Sequence, residues 1–157
     1  MVDVGKDAPN FTLSAANDRD ITLAALKGKI VTIFYETREP AVLERNRGLK
    51  KTLNDFYFSQ PEAIRTRVAR IAAINCSSAF PLFKGVWKGK LSDHSTNEGL
   101  TVYCDWDGSF AKAYGTVDDE SNFLIVDRKG TVRFSRSGKI AEREFDGIKQ
   151  LLESLAQ

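Results

Sequence analysis

The residues best able to do chemistry in this 157-residue chain are its two cysteines, Cys76 and Cys104. A thiol pair can cycle between dithiol and disulfide, and either thiolate can act as a nucleophile. The plainer alternative is two small buried side chains, since free cysteine commonly packs as one. A second group is Glu36, Thr37, Arg38, Glu39 and Glu44, whose charges could bind a polar ligand or a protein partner. The same residues suit structural duty, because carboxylates in a first helical turn stabilise the macrodipole and Glu/Arg neighbours solvate a surface. A third group, Asp118-Asp119-Glu120 with Asp105 and Asp107, offers oxygen ligands of the kind hard cations need. Its spacing matches no standard calcium loop, and a solvated loop is expected. With one histidine, His94, a His-rich metal site is impossible. Neither a metal nor another cofactor is expected.

These residues need elements to position them. Phe11–Leu13 and Ile21–Leu23 alternate as short strands around a turn-rich Ala15–Asp20. Ile30–Tyr35 is a nearly continuous β-branched and aromatic run, which suits a strand buried on both faces. Pro40 fits the first position of a helix, and Val42, Leu43, Leu49, Leu53 and Phe56 then fall at helical spacings. Arg70–Cys76 is the next strand. Phe80, Phe83, Trp87 and Leu91 form the stripe of a basic helix carrying Lys84, Lys88 and Lys90. That pattern serves a helix covering a sheet, and less readily a membrane-surface or protein-docking helix. Leu100–Cys104 is strand-like, Phe110–Tyr114 is a helical turn, and Asn122–Asp127 with Thr131–Ser135 is a hairpin. Glu142–Leu155 closes as an amphipathic helix. This order demands a central mixed sheet with helices on both faces.

Apolar residues are 42% and charged residues 28%, which excludes a disordered or fibrous chain. Lys+Arg number 23 against 21 Asp+Glu, so bulk charge does not favour nucleic acid, and no nucleic-acid partner is expected. No apolar run approaches the roughly 20 residues of a membrane span. Met1–Lys6 shows no basic region leading into an apolar one, so no signal peptide is visible. With no repeat or linker to divide it, residues 1–157 are expected to form a single domain. Oligomeric state is not legible.

Gly5–Leu13, followed by Leu26-Lys27-Gly28-Lys29 running into Ile30–Tyr35, resembles the opening of the redoxin branch of the thioredoxin fold. Tyr103–Gly115 and Phe123–Arg133 are similar to that family's later strand-turn-helix passage and closing hairpin. The resemblance runs from Gly5 to Leu155 and implies an α/β thioredoxin-like fold of the redoxin/peroxiredoxin type, a three-layer sandwich with a central mixed sheet flanked by helices. Ala113–Gly138 and the Phe34–Thr37 turn resemble the YtfJ-like group of bacterial proteins, which implies a periplasmic home, with the cytoplasm as the alternative.

Redoxin enzymes carry a thiolate at the N-terminus of the helix after the central strand, where the helix end favours the anion. A thioredoxin-type alignment puts the two family cysteines on Glu39 and Val42, and a peroxiredoxin-type alignment puts one on Leu43. Ser121 stands where the family keeps a cis-proline or an arginine. Glu39, Val42 and Leu43 cannot be nucleophiles of that kind. The expected function is therefore non-catalytic, a binding, assembly or regulatory role on a redoxin scaffold. The alternative is a thiol-dependent oxidoreductase or redox sensor using Cys76 and Cys104. An enzyme on this frame would be an atypical thiol–disulfide oxidoreductase or peroxidase.

Two expectations follow for measurement. In the implied fold, Arg70–Cys76 and Leu100–Cys104 pair in parallel and end at one level, so the cysteines should lie near the roughly 7 Å Cα limit for a bridge. A Cα separation above about 10 Å would remove the redox alternative. Glu39→Gln should cost only about 0.3–1 kcal/mol by chemical denaturation if the carboxylate merely starts a helix. A loss of several kcal/mol would reveal a buried ion pair instead.

Overall fold

Ile30–Glu36, β3, is the strand its composition demands, with Ile30, Val31, Ile33 and Tyr35 all buried. Around it the computed structural model describes residues 1–79 and 81–157. In chain order the elements are β1 (Thr12–Ser14), β2 (Asp20–Thr22), β3, α1 (Pro40–Arg45), α2 (Arg47–Ser59) and α3 (Glu62–Arg65). They continue as β4 (Val68–Asn75), α4 (Lys84–Glu98), β5 (Val102–Asp105), α5 (Ser109–Tyr114), β6 (Asn122–Val126), β7 (Val132–Ser137) and α6 (Phe145–Ala156).

Among the described residues one seven-stranded sheet runs in the order β2-β1-β5-β4-β3-β6-β7. The pairs β3/β4 and β4/β5 are parallel, and the outer pairs are antiparallel, so the sheet is mixed as expected. One face buries Leu13, Val31, Ile33, Ile71 and Leu124 beneath α5. There the Tyr35, Phe110 and Tyr114 rings stack in series, with centroids 4.8 and 4.1 Å apart. The other face buries Ile30, Phe123 and Ile125 beneath Leu49 and Leu53 of α2 and Ile148 and Leu152 of α6. A smaller cluster, Ile74, Cys76, Val102 and Cys104, packs under Leu91 and Trp87 of α4. The fold is thioredoxin-like, with helices on both sides of the sheet.

Several boundaries differ from the sequence expectation. The helix begun at Pro40 breaks at Asn46 (φ −113°, ψ 29°) into α1 and α2. Asn46 is buried, and its amide nitrogen donates to Ser121 Oγ (2.9 Å) and the Gly138 carbonyl (3.0 Å), while its oxygen accepts from the Ile140 amide (2.9 Å). These long-range bonds override a helical period that looks unbroken in sequence. Helix α4 runs past Leu91 to Glu98, beyond its apolar stripe, and stops at Gly99 in the left-handed conformation that glycine tolerates best. Phe80, assigned to that stripe by its spacing, lies outside the described residues, and Phe83 is exposed. The lysines of α4 are partly engaged within the chain, Lys88 with Asp18 at 2.6 Å and Lys84 over the Trp106 ring at 5.3 Å. Glu142–Glu144 is a separate 3₁₀ turn, so α6 starts at Phe145.

Removing the Asn46 amide leaves the Ile140 N–H and the Gly138 carbonyl without their buried partner. Asn46→Ala should therefore lower stability by about 2–3 kcal/mol in urea unfolding, with the m-value unchanged. A loss below about 0.5 kcal/mol would show that water replaces these bonds.

Candidate functional site

The parallel ladder places the cysteines. Ile74 of β4 stands opposite Cys104 of β5, and Asn75 opposite Asp105. The chain stays attached one residue further, because the Cys76 amide donates to the Asp105 carbonyl at 3.1 Å. Side chains alternate along a strand, so Ile74 and Cys76 share a face, and Cys104 joins them. The result is a disulfide between Cys76 and Cys104 with Cα atoms 5.7 Å apart, inside the expected limit. Each cysteine is only 1% exposed.

Asp105, next to Cys104, fixes the neighbouring turn. Its buried carboxylate accepts from the Tyr35 hydroxyl (2.6 Å) and from the Phe110 (3.4 Å) and Ala111 (3.2 Å) amides at the start of α5. Burial first, and then the Asp105 carboxylate, push the Tyr35 hydroxyl far above its ordinary range, so it remains a proton donor. Asp107 instead faces Ser109, whose hydroxyl and amide hold its carboxyl below the usual range. Glu120 pairs with Arg45, and Asp118 and Asp119 line a cleft. The acidic residues are thus divided among separate tasks. Among the described residues no group of three His, Cys, Asp or Glu side chains is placed to hold a metal ion.

The cleft, about 400 Å³, opens beyond the carboxyl ends of β3 and β4. Open α/β sheets place their ligands at such ends. Glu36, Thr37, Arg38 and Glu39 come together along it, opposite Ser77 and Ser78. Glu44 does not join them; it is exposed and pairs with Arg47 (2.8 Å), whose guanidinium holds its carboxyl below the usual range. Glu39 is exposed at the cap of α1, Val42 is buried within that helix, and Leu43 is half-buried. Glu36 points inward, where Lys50 Nζ (2.6 Å) and Ser121 Oγ (2.6 Å) both donate to it. The Arg38 guanidinium lies 3.8 Å from the centroid of the Trp87 ring and so joins the α1 approach to α4.

Three of these contributors carry no sequence signal. Lys50 sits among ordinary helix-surface residues. Trp87 looks like core stripe. Asn122 looks like a strand residue, yet its side-chain nitrogen donates to the carbonyls of Tyr35, Val117 and Glu120 and so shapes the cleft wall.

A family model matches residues 4–135. The chain belongs to the AhpC/TSA family. No curated protein matches it. Among solved structures it is similar to a candidate protein disulfide isomerase from Bacteroides thetaiotaomicron, with TM-score 0.73 and 20% identity over 99% of this chain and 91% of that one. It is also similar to the thioredoxin domain of a thiol-disulfide oxidoreductase from Bacteroides vulgatus (TM-score 0.68, 13% identity, 97% and 99% covered). An exposed lipoprotein thioredoxin from Streptococcus pneumoniae matches with TM-score 0.66 and 18% identity over 94% and 100%. At such identities the likeness speaks for the fold.

The expected non-catalytic scaffold does not stand. It rested on the residues at Glu39, Val42 and Leu43 and ranked the cysteine pair second. Cys76 and Cys104 are bonded at the carboxyl ends of parallel strands, in a fold shared with thiol–disulfide proteins. The redox alternative fits these findings better. The physical reason is that the α1 N-terminus is one of several strand and helix ends gathered at this edge, and β4 and β5 bring their own thiols to it.

Lys50→Met tests the inner wall of the cleft. The Glu36 side chain is 5% exposed, and Lys50 is its cationic partner. Stability should fall by about 3–5 kcal/mol, as when a buried pair loses one member, while the double change with Glu36→Gln should recover much of it. A loss below about 1 kcal/mol would mean that the pair is solvated.

Proposed function

We propose that this protein is a thiol–disulfide redox protein in which Cys76 and Cys104 are the working pair, acting as a redox sensor. The observation that carries this reading is the disulfide itself, joining the ends of two parallel strands. The pair holds both cysteines of the chain, and α1 and the loop before it contain none, so the thiol chemistry lies at the β4–β5 edge. Oxidation removes two electrons and two protons from the dithiol, which pass to an external disulfide that leaves as two thiols. Burial of both sulfurs supports sensing over rapid turnover, since exchange rates depend on access.

The lock has a mechanical consequence. Between the two cysteines lie the loop after β4 and all of α4, a sequence separation of 28. Closing a loop of this length stabilises the fold by about 3–4 kcal/mol in the chain-entropy account. Reduction returns that entropy to the unfolded chain, so the α4 crossover that the bridge spans opens more readily, and that helix is the proposed readout. The resemblance to the YtfJ-like group and the fold shared with an exposed lipoprotein thioredoxin support an extracytoplasmic home, where disulfides persist. No helix among the described residues is long and apolar enough to cross a membrane. We take residues 1–157 as one domain, with Arg38 and Glu39 on the cleft as its binding rim.

Thiol counting tests the pair. Protein purified without reductant should show no titratable thiol even when denatured. After native treatment with dithiothreitol it should show two, be less stable by about 3 kcal/mol, and return to none on reoxidation. Two free thiols in the unreduced denatured protein, or a pair that opens only after unfolding, would overturn the reading.

A further inference from the structure

The two cysteines border different cavities. Cys76 forms part of the wall of a cavity of about 130 Å³ that it shares with Arg38, Trp87, Lys90 and His94. No carboxylate is among the described residues lining it. Cys104 lines a different, open pocket on the β1 side, beside Trp106 and Asp107. A thiolate formed at Cys76 would have Arg38 and Lys90 among the residues around it.

The small cavity adjoins a larger groove of about 320 Å³ between α2 and α4, with Ile74 and His94 common to both. Phe34, Ala72, Ile74 and Val102 floor the groove. Arg47, Lys50, Lys51 and Arg70 line it, and Glu36 is the one acid among the described lining residues. Local partners temper these charges: Lys50 is bound to Glu36, Lys51 to exposed Asp55 at 3.0 Å and Arg47 to exposed Glu44 at 2.8 Å. The exposed Lys51–Asp55 pair is weak, so Lys51 remains open to another anion. Arg38 and Trp87, stacked at 3.8 Å, line both this cavity and the acidic cleft.

Resting on the proposed redox pair, we propose that the α2–α4 groove binds a small anionic thiol, a carboxylate-bearing thiol of the glutathione class, and presents its sulfur to Cys76. The thiolate attacks Cys76 Sγ, the Cys76–Cys104 bond breaks, and a mixed disulfide forms on Cys76. The electron pair leaves on Cys104, which takes a proton from solvent. A second thiol attacks the mixed disulfide, releasing the small-molecule disulfide and the Cys76 thiol. The sum is one protein disulfide and two thiols giving one protein dithiol and one small disulfide. Run in reverse, an anionic small disulfide oxidises the pair, and Cys76 is the nucleophile.

The experiment reduces the native wild-type disulfide with glutathione and with cysteamine, an anionic and a cationic thiol. Each rate is divided by that thiol's rate with a small unconstrained disulfide. Glutathione should be favoured about tenfold at low ionic strength, the scale of steering by a charged cleft, with the preference shrinking in salt. The double variant Lys51→Gln/Lys90→Gln should lose most of it. Acid trapping and mass spectrometry should find the mixed disulfide on Cys76. Equal rates, a preference for cysteamine, or an adduct on Cys104 would overturn this inference and leave the redox pair standing. If dithiothreitol reduces the native protein and neither of these thiols does, the inference falls and the redox pair stands; if none of the three does, both fall.

Discussion

The parallel register of β3, β4 and β5 is the constraint on which the rest depends. It sets Glu36, Ile74 and Cys104 in one row across three strands. From that row the chain can only continue outward at one edge, so the loop to α1, the loop carrying Cys76 and the turn into α5 all emerge together. A slip of one residue between β4 and β5 would turn one set of side chains to the opposite face. Cys104 would then point away from Cys76, and Asp105 would lose Tyr35. The disulfide and the Tyr35–Asp105 bond thus depend on the same alignment from opposite faces of the sheet.

Beside this row the edge is stiffened by polar contacts that apolar packing cannot supply. Ser121 donates to Glu36 and accepts from Asn46, while Arg45 pairs with Glu120 in the adjoining loop. The start of β6 is thereby tied to α1 and α2 through hydrogen bonds at the position where the redoxin resemblance leads one to expect a proline or arginine. Such a network is costly if any member is left without a partner. It gives the cleft a fixed inner wall, while α4 packs on the small cluster beside the disulfide, with Lys88 held by Asp18 and Trp87 by Arg38.

Much of the framework was legible in sequence because it follows from side-chain period and local chemistry. The β-branched run at Ile30–Tyr35, the hairpin of Asn122–Asp127 with Thr131–Ser135 and the apolar stripe of α6 each announce their element. The nearness of Cys76 and Cys104 was legible too, since both close strands joined by a crossover. What sequence could not show was tertiary in origin. The break at Asn46 exists for partners at Ser121, Gly138 and Ile140. Asp105, grouped by its sequence with a solvated acidic loop, is an internal acceptor for Tyr35. The polar tail of α4 stays helical past its apolar stripe, and Ser95 near its end accepts from the Val102 amide at 2.8 Å. The non-catalytic expectation fails for a related reason: the positions where the family keeps its thiols do not fix where this chain keeps its own.

The most direct test of the central claim is the midpoint potential of the Cys76–Cys104 pair, measured on native protein equilibrated in graded thiol–disulfide buffers. A pair that works as a switch should titrate as a single two-electron transition above about −300 mV, within reach of biological thiol pools. A pair that stays fully oxidised to potentials well below that value would be a permanent brace for α4, and the redox account of this protein would be wrong.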